Sequence, residues 1–477
     1  MKASSDFVAR LEHEDWADGE LEQASLGDSR LDQRLRVMVS DFAEHPGAPI
    51  PEACGTKAKT NGAYGFIEND SIAPAAVLQG HHRATLDRLA QEAVILAPSD
   101  TTSFNYTRLH ATSGLSAIGP KAPSGERGLW LHSTHAFTPS GLPLGLLAAW
   151  FWNRPLVKTD LRDHHAKPFA ERESFRWWES WQACQRLRAQ LPPATLLVNI
   201  TDMEGDMYEV FAAALAQEGP RAELLIRSRH NRKLEEADAA EQRLWEHLAQ
   251  QPLAATLEVR VPRHEKQPAR LATLQIRFCE VELAAPTRKT DQPPLHLWGV
   301  EARELHPPTG VEPILWRLLT TLPVTTAEAA IQKVRWYAVR WSIETFHKII
   351  KSVCQVEAKQ METAERLERM ILVNAVVAWR IQVLTQVGRQ YPNLPASDYF
   401  TQSEWQALHS HLYPQEPVLT QAPGLGQLMH WVGQLGGFVR CKSNPHPGPI
   451  TLARGLARLK DIAMGWELYE RRHAKCK

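Results

Sequence analysis
A chain of 477 residues is too long for one simple core and calls for about three units of roughly 100–200 residues each. Hydrophobic content of 43% and charged content of 23% fit a globular protein, and no apolar run stands out at the roughly 18 residues of a membrane span, which argues against a membrane protein. Lys+Arg and Asp+Glu balance at 54 each, so net charge does not announce a nucleic-acid partner and local clusters must decide.

The start, "MKASSDFVARLEHEDWADGELE", is acidic and lacks an apolar signal region, so a cytoplasmic protein is expected. "GDSRLDQRLRVMVSDFAEH" predicts a helix with Asp28 as N-cap and Leu31, Leu35, Val37, Met38 and Phe42 on its apolar face. "AVILAPSD" reads as a buried strand ending at Asp100. "GLWLHSTHAFTP" and "LPLGLLAAWFWN", separated by "PSG", read as a hairpin, and "ESFRWWESWQACQRLRAQL" as a helix ending before Pro192. "ATLLVNITD" is a second strand that ends at an aspartate, Asp202. A helix over "GDMYEVFAAALAQEG" and a third strand, "AELLIRS", complete the order.

A three-stranded meander extended by parallel strands through helices predicts an α/β, ribonuclease-H-like fold. In such a sheet the carboxyl ends of the first strand and of the strand after the helix share one crevice, which would make Asp100 and Asp202 neighbours. Two carboxylates so placed repel unless a proton or cation lies between them, and Mg²⁺ is the usual cation. The competing reading is that each is a turn former or helix cap; Glu204 and Asp206 lie close by, but Asp202 is nearest the strand end.

Residues 234–322 change character to period-2 patterns such as "LATLQIRFCEVEL" and "HLWGVEARELH", a β-rich insertion. One uninterrupted helix is then predicted over 326–353, because no proline or glycine breaks it. On it Tyr337, Arg340, Glu344, Lys348 and Lys351 form a polar stripe, and Trp336, Val339, Ile343, Phe346 and Ile350 an apolar one. Taken alone, Glu344 fits a solvated ion-pair ladder worth about 0.3–0.5 kcal/mol per pair.

The spacing Tyr337, Arg340, Glu344, Lys351 resembles the Y-x2-R-x3-E-x6-K signature of bacterial insertion-sequence transposases of the DDE class. "DTTSFNYT", "TDMEGDMYEVF", "LIRSRHNRK", "QLGGF" and "GWELY" are similar to the corresponding stretches of the cut-and-paste members. The resemblance implies a retroviral-integrase-like catalytic core, with Asp100, Asp202 and Glu344 as acidic ligands of two Mg²⁺ or Mn²⁺ ions roughly 3.5–4 Å apart. It also implies a chain that cleaves transposon ends, in some members through a DNA hairpin, and joins 3′-hydroxyl ends to target DNA. Arg340, Lys351 and Lys348 would hold phosphates, Tyr337 would donate to one, and Trp316 would stack the flipped base. Packing in a core is the alternative for Trp316.

Arg227, Arg229, Arg232 and Lys233, with His230, form a candidate phosphate track or else a solvated loop. Arg30 and Arg34 match end-contacting positions, although Leu31 replaces a basic residue. The expected organisation is 1–70 for end binding, 71–233 and 323–372 for the catalytic core around the 234–322 insertion, and 373–477 for a helical homodimerisation unit. The double-stranded DNA of transposon ends and target is the expected partner. A nuclease of the same fold without strand transfer, and a silent end-binding regulator, are the readings left beside it. The His81–His82 and His164–His165 pairs lack metal-ligand spacing and read as surface residues. Six cysteines (Cys54, Cys184, Cys279, Cys354, Cys441, Cys476) without CxxC spacing read as ordinary thiols.

Overall fold
Short helices open the chain: α1 (Trp16–Glu20), α2 (Ser29–Glu44), α3 (Ile50–Cys54), α4 (Lys57–Ile67) and α5 (Gln79–Leu89). The coordinates are a computed structural model describing residues 16–119, 125–154, 168–235, 243–261, 269–287, 291–441 and 445–474; His164, His165 and Cys476 lie outside them. Asp28 caps α2, its carboxylate accepting the Arg30 N–H at 2.9 Å. Leu35, Met38 and Phe42 are buried as their period predicts, but Val39 joins them while Val37 is only half-buried.

The sheet begins with β1 (Val94–Asn105), β2 (Ser116–Ala117), β3 (Arg127–Phe137) and β4 (Pro143–Trp152). It continues through α6 (Phe175–Arg188), β5 (Leu196–Thr201), α7 (Tyr208–Ala216) and β6 (Glu223–Arg227). β4, β3 and β1 form an antiparallel meander, and β5 then β6 add to β1 in parallel, as expected of a ribonuclease-H-like core. The insertion contributes α8 (Leu244–Gln250), β7 (Ala255–Val261), β8 (Arg270–Leu283), β9 (Leu295–Leu305) and β10 (Leu315–Thr320). It does not make a separate sheet: β10 pairs antiparallel with β6, so the insertion lengthens the core into one ten-stranded sheet.

The two faces of the sheet carry different cores. Ile95 and Ala97 of β1 join one, and Leu96, with Val198 and Ile200, joins the other, as strand alternation requires. The helix predicted over 326–353 is two helices, α9 (Ala327–Val339) and α10 (Trp341–Ser352), meeting at Arg340. There the ladder shifts to shorter bonds, Arg340 N–H to the Tyr337 carbonyl at 3.0 Å and Ile343 N–H to the Arg340 carbonyl at 3.1 Å. No proline or glycine causes this. Ala330, Val334 and Trp336 of α9 pack into the core of one face, whereas Phe346, Ile349 and Ile350 of α10 pack into the other. The single apolar stripe read from the sequence is therefore divided between two cores.

α11 (Ala364–Gln390), α12 (Gln402–Leu412), α13 (Leu425–Leu435) and α14 (Pro449–Ala474) complete the chain. Contrary to the sequence reading, α11 is long and apolar enough to cross a membrane, yet it is almost wholly buried inside the protein. It packs on β4, α2, α10 and α14, so a division at residue 372 would fall within one continuous core helix. His81 is also not a surface residue: it is fully buried, while His82 is half-buried.

Candidate active site
The expected stop of the first strand at Asp100 is not observed, because β1 runs five residues further, to Asn105, still paired with β3. What ends near Asp100 is the other neighbour. The parallel register with β5 finishes at Pro98↔Ile200, where proline has no N–H to extend it. Asp100, opposite Ser133, lies two residues beyond the point where the pairing of β1 with β5 ends. Burial pushes the Asp100 carboxyl up to about 7 against the pull of Arg340, and the charges of Asp202 and Glu344 add to the rise.

Asp202 directly follows β5 and begins a short 3₁₀ turn, Met203–Gly205, its carboxylate accepting the Glu204 N–H at 2.8 Å. It is thus both a strand-end acid and a cap. Burial raises its pKa as well, with the Glu204 N–H bond and the charges of Arg340 and Arg176 opposing. Glu344 stands in the first turn of α10 with half of its side chain exposed. Arg340 joins these elements: Nη2 lies 2.6 Å from Glu344 Oε1 and Nη1 lies 3.4 Å from Asp100 Oδ2. The ion-pair reading of Glu344 is therefore realised, and through the residue expected to hold DNA. Among the described residues no three acidic, imidazole or thiol groups are gathered into a ready ligand set. Asp100 and Glu344 on one guanidinium, with Asp202 in its field, nonetheless offer all-oxygen donors of the kind that suit a hard divalent ion.

The other stripe residues diverge. Tyr337 is buried at 3% exposure, and Trp316 at 5% stands edge-on to it, ring centroids 5.1 Å apart. Trp341, not singled out from the sequence, completes an aromatic trio, 5.6 Å from Trp316. Trp316 is a core residue here, the alternative left open above. Lys348 is exposed. Lys351 stands 5.6 Å from the Phe104 ring centroid, and burial lowers its pKa against the nearby Glu357.

The basic run after β6 is only partly a free track. Arg232 is committed to the buried Asp206 at 2.5 Å, and Asp206 also accepts the Arg229 and His230 N–H groups at 2.6 and 3.0 Å. Arg227 donates to the Leu315 carbonyl at 3.1 Å, which leaves Arg229 and Lys233 as the exposed cations. In the N-terminal part Arg30 pairs with its own cap, Asp28, at 2.7 Å while staying exposed. Arg34 lies over Gly62, where any side chain would collide with its guanidinium.

A ten-stranded mixed sheet with a ribonuclease-H-like core, flanked by helical regions and carrying acids beside one arginine, fits the class of metal-dependent phosphoryl-transfer enzymes. Three family models match successive parts of the chain: transposase DNA-binding over residues 13–72, transposase DDE domain over 208–380, and transposase Tn5 dimerisation domain over 376–475. The chain belongs to the Tn5 family of DDE transposases, which bind transposon DNA ends and dimerise. The DDE match spans Glu344 and begins after Asp100 and Asp202.

Proposed function
We propose that Asp100, Asp202 and Glu344 are the catalytic acids, and that together they hold two Mg²⁺ ions, for which Mn²⁺ substitutes. The bound ions would activate the attacking oxygen and stabilise the departing one. The observation that carries this reading is the Arg340 guanidinium reaching both Asp100 and Glu344, with Asp202 in its field. A cationic side chain already bridges two of the three acids.

With DNA in place, Arg340 would turn from the carboxylates to a phosphate, exchanging one anionic partner for another. Lys348 and Lys351 extend the positive edge along α10, and Arg229 and Lys233 line the approach from β6. Arg30 and Arg34 face the transposon end. Tyr337 and Trp316 serve the flipped base of a hairpin intermediate only after the aromatic trio opens, since both are buried at rest. The two ends are cut and their 3′-hydroxyls joined to target DNA within a dimer, in the cytoplasm at the nucleoid. The test is single substitution of Asp100, Asp202 or Glu344 by Ala. Each abolishes nicking of end DNA with Mg²⁺ or Mn²⁺ while gel-shift affinity for the end is retained. Normal nicking in any of the three removes that residue from the site.

A further inference from the structure
Arg176, in the first turn of α6, is absorbed by none of the roles above, yet every nitrogen of its guanidinium is engaged. Nε–H donates to Thr101 Oγ1 at 3.0 Å, Nη2 to Glu204 Oε2 at 2.5 Å and Nη1 to the Glu173 carbonyl at 2.7 Å. Thr101 is the residue after Asp100, and Asp100 Oδ1 accepts its N–H at 2.8 Å. Glu204 supplies the N–H that Asp202 caps, also at 2.8 Å. One planar group thus grips the hydrogen-bond partner of each aspartate.

The grip is anchored from behind. Thr101 Oγ1 lies 2.7 Å from His132 Nδ1, and His132 Nε2 lies 2.6 Å from Ser180 Oγ, one turn after Arg176 on the same helix. Thr101 and His132 are cross-strand register partners in β1 and β3. Arg176, Thr101, His132 and Ser180 therefore join helix to sheet at two points. His132 and Ser180 are fully buried, and the Arg176 side chain is 12% exposed. Three of its five N–H donors are used, one on each nitrogen, so the plane of the guanidinium is fixed between α6, β1 and the turn after β5.

We propose that Arg176 is a positioning residue that sets the separation and direction of the Asp100 and Asp202 carboxylates, and thereby the affinity of the site for divalent cations. This rests on the ligand assignment proposed above. Groups that orient metal ligands from behind typically change metal affinity about 10- to 100-fold when lost. Lysine, a point charge, cannot span the two acceptors that the fork spans.

The test measures Mn²⁺ binding to the full-length protein from the paramagnetic resonance signal of free Mn²⁺, alongside Mn²⁺ titration of end nicking. Arg176→Ala and Arg176→Lys weaken Mn²⁺ binding by about 10- to 100-fold. They raise the Mn²⁺ needed for half-maximal nicking by the same factor, the rate recovers at saturating Mn²⁺, and gel-shift affinity for the end is unchanged. Thr101→Val, which leaves the guanidinium in place, moves Mn²⁺ affinity the same way and decides the matter if the arginine variants do not fold. Mn²⁺ affinity within twofold of wild type in the folded variants, while Asp100→Ala loses it, overturns the positioning role alone. Weakened gel shift with unchanged Mn²⁺ affinity also overturns it, assigning Arg176 to DNA. Unchanged Mn²⁺ binding in Asp100→Ala brings down the ligand assignment, and this inference with it.

Discussion

Glu20→Gln offers a quantitative test of how the N-terminal helices are fastened to the catalytic sheet. Glu20 is buried on α1, with Arg88 Nη1 and Nη2 of α5 at 2.7 and 2.9 Å and His81 Nδ1 at 2.5 Å. His81 Nε2 accepts the Leu146 N–H of β4 at 2.9 Å, so Nδ1 carries the proton and the ring is neutral; burial also lowers its pKa. Arg88 Nε donates to the Leu144 carbonyl at 2.6 Å, and its guanidinium lies 4.5 Å from the Trp379 ring of α11. Burial alone would raise the Glu20 pKa, but Arg88 and His81 outweigh it and bring it from 4.5 to about 2.

That depression corresponds to about 3 kcal/mol, within reach of the roughly 3–5 kcal/mol lost when one partner of a buried ion pair is removed. Because the folded pKa is depressed, the unfolded chain binds the extra proton between about pH 4.5 and pH 2. The contribution is complete above that window and lost as pH falls through it. In urea denaturation Glu20→Gln should therefore be less stable than wild type by about 3 kcal/mol at pH 7, with the gap narrowing between pH 5 and pH 3. A gap below about 1 kcal/mol at pH 7, or one that does not narrow, refutes the reasoning.

Arg340→Ala removes the cation lodged between Asp100 and Glu344, so Mn²⁺ should bind the DNA-free protein several-fold more tightly, in line with less competition for the carboxylates, while nicking of end DNA falls. Weaker Mn²⁺ binding in a calorimetric titration would contradict that placement. Removing both Arg229 and Lys233 should lower the log–log salt slope of end binding by about 2, close to 0.9 per lost phosphate contact, with thermal stability unchanged. Arg232→Ala should instead cost stability, about 3 kcal/mol by chemical denaturation, because it strands the buried Asp206 charge. For Trp316→Ala the expected loss is about 3–5 kcal/mol, as for a core aromatic; a loss under 1 kcal/mol would show that the trio does not carry packing energy.

The meander, the strand order and the strand-end aspartates were legible because alternation and turn residues are local signals. Where β1 ends was not, since its last five residues are kept extended by β3, whose partner residues, from His132 back to Gly128, lie more than twenty positions further along the chain. The break at Arg340 was invisible for a related reason: nothing in "YAVRWSIETF" disfavours helix, and the interruption falls between a half that packs into one core and a half that packs into the other. A periodic pattern records which residues are apolar, not which core receives them. Buried charges were the other blind spot. Arg232, Arg176 and His81 look like surface residues in any composition count, and only the positions of Asp206, Glu204 and Glu20 explain why they are inside. Trp341 escaped notice because sixteen tryptophans give no local reason to prefer one.

Helix α11 has a bearing on how this chain can be taken apart and recombined. Its residues support β4, α2 and the terminal helices together, so the regions matched to end binding, catalysis and dimerisation share a single rod. Grafting the dimerising end of a relative onto this chain at residue 372 would replace part of the floor beneath the sheet as well as the interface. A working chimera would have to carry α11 whole, with its exchange point in the loop after Gln390. Kinship in this enzyme would then be inherited by blocks whose edges follow the packing of one helix rather than the limits of each activity.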